Sequence, residues 1–289
     1  MWTGFARAVR IVPWPVKWRV LRIAATGLLL AGGLLALLYR LPQPLRTVTA
    51  LPLSLLIPIA AYAGWCLWPR LRWGLPSSLL AEPPCPPNQR LRLSFDDGPT
   101  PGLTEAVLDL LRQHGVHATF FVLTHKARRC PDLVRRIIAE GHTLGLHGED
   151  HRVALFRSAA ELKASLGRAR DELSVLAGQP ITLYRPSHGW KNLALLRALR
   201  DLRLRLVFWD HGVWDTDAPP VEILIQRLRW ATPTQDTATI RPPIRPMILL
   251  HDGRDDRLTP PAHAQALLAA LAAWLPSLRQ TARGGQQRL

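Results

Sequence analysis

Apolar and polar positions follow two periods along this chain, and the switches between them set out its elements. Leu91, Leu93 and Phe95 alternate with polar residues, a short half-buried strand that stops at Gly98-Pro99. Residues 104–114 carry Ala106, Val107, Leu110 and Leu111 at helical spacing, and 118–123 form a run suited to a buried strand. Helix 133–140 ends at Gly141, and strand 143–146 leads into His147. A long amphipathic helix over 161–176 is stopped by Gly178-Gln179-Pro180. Strands at 181–184, 204–209 and 247–250 then alternate with helices at 193–202, 221–230 and 261–274. This order predicts an α/β domain, a parallel sheet with crossover helices in open or barrel form. No internal repeat is visible.

The first 72 residues read differently. Residues 23–39 and 47–69 contain no charged side chain, and the second run ends in Trp65 and Trp68 with Trp73 close behind, the aromatic flank of a bilayer interface. Two transmembrane helices are predicted, at about 20–39 and 47–69, the second kinked by Pro52 and Pro58. Arg7, Arg10, Lys17, Arg19 and Arg22 precede the first run, and only Arg40 and Arg46 lie between the two. Positive-inside reasoning keeps the amino terminus and the rest of the chain in the cytoplasm, in an inner-membrane protein; a proline-containing run that lies in the interface instead would turn the domain outward. Residues 73–89, with Pro83, Pro84, Pro86 and Pro87, read as a semi-rigid linker to a domain at 90–279. The tail, 280–289, reads as disordered.

The formal net charge of +16 calls for an anionic partner. The arginines are dispersed among Leu and Ala, without a dense basic tract or a nucleic-acid-binding signature, so a membrane surface fits and nucleic acid does not. Cys66, Cys85 and Cys130 form no C-x-x-C pair, and a Cys85–Cys130 bridge stays open.

Polar residues with chemical potential fall at the carboxyl ends of five expected strands, where loops converge in a parallel barrel. They are Asp96 and Asp97, His147 and His151, Arg185, Asp210 and Asp215, and His251. Adjacent carboxylates in one pocket repel, which invites a cation. His147 and His151, four apart, are expected on one face of a helical turn, and with one carboxylate they make a three-ligand site open to water, as in catalytic zinc centres. Taken singly each has an ordinary reading: a solvated Asp-Asp-Gly turn, a structural ion pair at Arg185, a core histidine at His251. Their coincidence carries the chemistry. His114, His117, His125 and His142 read as surface or helix-end residues.

Ser94-Phe95-Asp96-Asp97-Gly98-Pro99, with Ala118-Thr119-Phe120-Phe121-Val122, resembles the first motif region of the NodB-type polysaccharide deacetylases, carbohydrate esterase family 4. Tyr184-Arg185-Pro186-Ser187-His188-Gly189, Trp214-Asp215 and Leu249-Leu250-His251-Asp252 are similar to its later motifs, and the likeness spans roughly 91–275. The resemblance implies a NodB-like (β/α) barrel and an N-deacetylase of an acetylated amino sugar. It makes Asp96 the catalytic base and Asp97, His147 and His151 the metal ligands. Arg185 pairs with the base, Asp215 supports a histidine acid, and His251 is that acid, with Asp210 a weaker alternative to Asp215. Zinc is the expected ion, with Co2+, Ni2+ or Mn2+ as substitutes. The sequence departs from the pattern at Gly148, where a Ser or Thr usually stands and a looser loop is expected. It departs again at Ser187-His188, in place of Pro-Tyr, and at Thr216, in place of an aromatic, so Trp190 or Trp214 is expected to stack on the sugar. The rival readings are a non-catalytic glycan-binding barrel and a metal-dependent phosphohydrolase.

Overall fold

The structure, a computed structural model, describes residues 58–69, 71–72, 74–87, 89–233, 245–255 and 258–283. The chain divides into two units, 1–64 and 65–289, and every described strand lies in the second. Its elements are β1 (Arg92–Gly98), α1 (Leu103–His114), β2 (Ala118–Leu123), α2 (Thr124–Arg129), α3 (Pro131–Ala139), β3 (Thr143–Gly148), α4 (Ala159–Ala177) and β4 (Leu183–Tyr184). There follow α5 (Leu193–Leu202), β5 (Arg205–Leu206), β6 (His211–Gly212), α6 (Val221–Ala231), β7 (Met247–His251) and α7 (Pro261–Arg283).

The seven strands form one parallel sheet in the order β5-β4-β3-β2-β1-β7-β6. Among the described residues β5 and β6 do not pair with each other, so the expected barrel is an open half-barrel. β2 is buried at all six positions, as its apolar run requires of a strand covered on both faces. Phe95 and Phe120 stack across β1 and β2 with centroids 5.1 Å apart, and the helices bring in Leu108, Leu111, Leu173, Leu199 and Trp274, all fully buried. Local chemistry fixes the helix ends. Ser158 and Glu161 form a capping box at α4, the Asn192 side chain accepts the Leu195 N–H at the start of α5, and Gly115 and Gly178 close α1 and α4 in the left-handed conformation.

Several expectations need correction. The strand expected over 204–209 keeps regular pairing only at Arg205–Leu206, because the carbonyls of Val207 and Phe208 turn to the Arg185 guanidinium. β6 and α2 were not expected; one is two residues long and the other, Thr-His-Lys-Ala-Arg-Arg, has no apolar period. The stretch read as a linker packs on the domain. Leu80 bridges in parallel to Leu206, the Ala81 N–H donates to the Leu206 carbonyl, and Arg245 donates to the Cys85 carbonyl. Residues 280–283 continue α7 rather than starting a disordered tail, and 284–289 lie outside the described residues. Cys66, Cys85 and Cys130 are all free thiols. The expected span at 20–39 lies outside the described residues, as does 47–57 of the second span, and no described helix is long and apolar enough to cross a membrane.

Gly145 on β3 carries a packing demand of its own. A Cβ there would come within 2.5 Å of the Phe121 ring, the ring that faces the Arg185 guanidinium at 4.0 Å. Gly145→Ala is therefore expected to lower stability by about 1–3 kcal/mol through overpacking, read as a reduced denaturation midpoint with an unchanged m-value.

Candidate active site

Sheet register assembles the site. Asp96 on β1 lies opposite His251 on β7 and Phe121 on β2, and Leu146 pairs with Tyr184, so His147 and Arg185 leave their strands side by side. Asp96, Asp97, His147, Arg185 and Asp215 are buried, while His151 and His251 keep partial access to solvent.

Arg185 is fully buried. It donates to Asp96 Oδ1 at 2.7 Å, to Ser94 Oγ at 2.8 Å and to the Val207 carbonyl at 3.3 Å. Oδ2 of Asp96 faces Nε2 of His147 at 3.9 Å. The Asp96 carboxylate is thus held at one oxygen and presented at the other.

Asp97, His147 and His151 bring one ligand atom each to within 4.8 Å of one another. His147 Nδ1 donates to the Arg185 carbonyl at 2.8 Å, which leaves the Nε2 lone pair for the cluster. That atom stands 3.3 Å from Asp97 Oδ1, and His151 Nε2 stands 3.5 Å from it. Asp97 Oδ1 is buried without an aligned hydrogen-bond donor among the described residues. Two imidazole nitrogens and a carboxylate oxygen this close together fit a divalent metal ion. Burial pushes the Asp97 carboxyl up, but His147, His251 and His151 more than reverse this and hold it well below the usual carboxylate range.

The helical turn expected for His147 and His151 is not there. His147 ends β3 and His151 lies in the following loop, brought back by Gly148 at φ 119°. A side chain is strained at that angle, and a Cβ would meet the Asp150 carbonyl at 2.9 Å, so glycine defines this loop rather than loosening it. Asp97 itself has φ 70°. Its carbonyl accepts from Lys126 Nζ at 2.8 Å, and Asp252, reached by Thr104 Oγ1 at 2.6 Å, donates its N–H to the Asp96 carbonyl. Burial pushes the Asp252 carboxyl up to about 7.

On the far side, Asp215 is fully buried. Its Oδ1 accepts from His251 Nδ1 at 3.0 Å and its Oδ2 from the His251 N–H at 2.8 Å. His263 Nε2 stands 3.3 Å from the same Oδ2. Burial pulls the His251 imidazole down, but Asp215 beside it wins and raises it to about 9. Asp210 is not near His251: its side chain holds Arg72 at 3.3 Å and the Met247 N–H at 2.8 Å, at the opposite end of β7. Trp190 stands 4.9 Å from His188, whose ring meets His151 edge-on at 4.8 Å, whereas Trp214 is exposed at φ 50°.

Sequence reasoning missed Ser94, Lys126 and His263 as parts of this site. Ser94 alone had a signal, since it precedes Asp96 by two and shares its face of the strand. His142, read as a surface or helix-end residue, is buried: its Nδ1 accepts the Ala118 N–H at 3.2 Å, and burial pulls it down to about 4.

The polysaccharide deacetylase family signature matches residues 84–207. A peptidoglycan-N-acetylglucosamine deacetylase of Bacillus cereus is 31% identical over 201 residues, 68% of this chain and 84% of that protein. A chitooligosaccharide deacetylase of Azorhizobium caulinodans is 32% identical over 164 residues, 56% of this chain and 72% of the relative. A crystal structure of a peptidoglycan N-acetylglucosamine deacetylase bound to an N-hydroxybenzamide superposes with a TM-score of 0.59 at 26% identity, covering 74% of this chain and 92% of that one. Fold, strand-end chemistry and these likenesses agree: the chain belongs to the polysaccharide deacetylases of carbohydrate esterase family 4, the NodB-type hydrolases of carbon–nitrogen bonds other than peptide bonds.

Proposed function

We propose that this chain hydrolyses the acetamide of an N-acetylated amino sugar presented at a membrane surface. The observation that carries the chemistry is the register pair Asp96 and His251, each backed by its own buried partner, at the same strand ends as the Asp97–His147–His151 cluster. Asp97, His147 and His151 would hold a divalent ion, zinc first, whose Lewis acidity would act on the acyl oxygen and on water. Asp96 takes the proton of the attacking water at Oδ2, while Arg185 keeps the carboxylate in one orientation through Oδ1. A backbone N–H near His188 meets the charge that develops on the acyl oxygen. His251, held through Nδ1 by Asp215, delivers its Nε2 proton to the departing nitrogen. Acetate and a free amino sugar leave. Trp190, beside His188, gives the sugar ring an aromatic face.

The membrane part of this reading rests on the uncharged runs 23–39 and 47–69 and on the basic flank before the first. With the domain on the cytoplasmic side, the substrate is a polyprenyl-phosphate-linked saccharide, whose anionic head group the Arg-rich surface favours. A reporter fused to the carboxyl terminus tests this. An external signal removes the lipid-linked substrate and leaves peptidoglycan or an exopolysaccharide in its place.

Acetate release is the direct assay, run on lipid-linked and polymeric N-acetylhexosamines. Chelation is expected to stop it and added zinc to restore it, and Asp96→Asn is expected to lower kcat by about 10²–10⁴-fold, the usual worth of a general base. A wild-type protein that binds an acetylated glycan yet releases no acetate with any of the four candidate ions would overturn the reading. The pH profile tests the acid. His251 must be protonated, so kcat/KM is expected to hold on the alkaline side until pH about 9 and to fall above it. Asp215→Asn removes the charge that raises His251 and is expected to move that limb down toward the ordinary imidazole value of about 6.5. A limb that stays in place would take the acid role from His251.

A further inference from the structure

The loop between β4 and α5 faces two neighbours. Through His188 it touches the candidate metal centre: the His188 ring meets His151 edge-on at 4.8 Å, and His151 lies 5.4 Å from His147. Through the residues that follow it grips segment 65–69. Lys191 is fully buried, and its Nζ donates to the carbonyls of Trp65 at 2.7 Å and Trp68 at 2.8 Å. Its backbone N–H donates to the Cys66 carbonyl at 3.0 Å. The ammonium also stands over the Trp65 ring at 5.0 Å and the Phe208 ring at 5.5 Å. Gly189, at φ 70°, packs so closely on Pro69 that a Cβ would come within 2.6 Å of the Pro69 Cβ.

A buried ammonium is costly unless its hydrogen bonds are made, and no carboxylate lies in ion-pair range of Nζ among the described residues. Carbonyls and ring faces do that work here. The Trp65 carbonyl belongs to the last turn of a helical segment, where the backbone dipoles favour a cation. Burial still draws the ammonium down to about 8. None of these contacts serves the hydrolytic steps, yet they fix the two residues next to Lys191, Trp190 and Gly189, and through them His188 at its left-handed φ of 56°.

We propose that Lys191 is a positioning residue: it clamps segment 65–69 against the β4–α5 loop and so holds His188 and Trp190 as the wall that backs His151 and receives the sugar. The clamp makes two demands on the site. The loop must stay put for His151 to keep its ligand orientation, and Trp190 must stay put for the sugar to find its stacking face. The second demand rests on the deacetylase reading; the first does not.

The test uses the full chain and compares Lys191→Met, which keeps length and loses the donors, with Lys191→Arg, which keeps charge and donors. Zinc affinity of the metal-free protein, by competition with a chromogenic chelator, is expected to fall about tenfold in Lys191→Met, the lower end for groups that orient metal ligands. Protease cleavage within 65–72 is expected to appear in that variant alone. KM for the acetylated sugar is expected to rise about tenfold while kcat changes less than threefold, as for lost uniform binding. Lys191→Arg is expected to restore all three to within about threefold of wild type. A general loss of stability would lower Tm without this pattern. Should Lys191→Met fail to fold, Pro69→Gly loosens the same contact from the other side and is expected to weaken zinc in the same direction. Unchanged zinc affinity and unchanged KM in a folded Lys191→Met, or in Pro69→Gly, overturn the clamp. A tenfold loss of zinc affinity in a protein that releases no acetate keeps the clamp and removes the deacetylase.

Discussion

A guanidinium sealed from solvent needs an anion and a full set of acceptors, and Arg185 obtains them from four parts of the sheet. Asp96 and Ser94 come from β1, the Val207 and Phe208 carbonyls from beyond β5, the Met247 sulfur from β7, and the Phe121 ring from β2. Removing one partner of such a buried pair generally costs about 3–5 kcal/mol, because the other charge is left stranded. Much of the fold follows from this demand. β5 breaks after Leu206 so that two carbonyls can turn inward, Gly145 lacks a side chain so that Phe121 can lie flat, and the Arg185 carbonyl fixes the tautomer of His147. The same residue thus orients the proposed base with its side chain and a proposed metal ligand with its backbone.

Conformational strain gathers where the chemistry is. Of the five non-glycine residues at positive φ among the described residues, Asp97 stands near the end of β1, just before Gly98, and His188 and Trp214 lie in the loops that follow β4 and β6. Each is held by a partner from another element: Lys126 of α2 on the Asp97 carbonyl, the His151 ring of the β3–α4 loop against His188, and Arg227 of α6 on the Trp214 carbonyl. A scaffold of short parallel strands supplies the rigidity that lets these loops keep unfavourable angles.

Much of the fold and site could be read from the sequence because their signals are local. Polar residues that close an apolar run, such as Asp96 after Leu93 and Phe95 or His251 after Leu250, mark strand ends whatever the tertiary structure. What could not be read depends on partners far along the chain. The four-residue spacing of His147 and His151 suits a helical turn, but it suits equally a strand end and a loop reversed at a glycine, and only the backbone distinguishes them. Lys191 looks like any lysine at a helix start, and its acceptors lie more than 120 residues away. His263 opens an Ala- and Leu-rich helix with nothing nearby to suggest Asp215. β5 and β6 are two residues each, below the length at which alternation can be seen.

The bridge between Leu80 and Leu206 has a consequence for how this molecule behaves in a crowd. An open sheet leaves a row of unpaired N–H and carbonyl groups along its outermost strand, a template onto which a second chain can add. Here the preceding segment occupies part of that row, through the Ala81 N–H on the Leu206 carbonyl, and the Arg205 guanidinium ties the segment down by donating to the Leu80 carbonyl. Immediately after it come Pro83, Pro84, Pro86 and Pro87, which have no N–H to offer a further strand. A stretch that resembles a spacer is therefore a guard against edge-to-edge aggregation, and a fragment cut after residue 87 would carry the whole candidate site on a sheet with a sticky border.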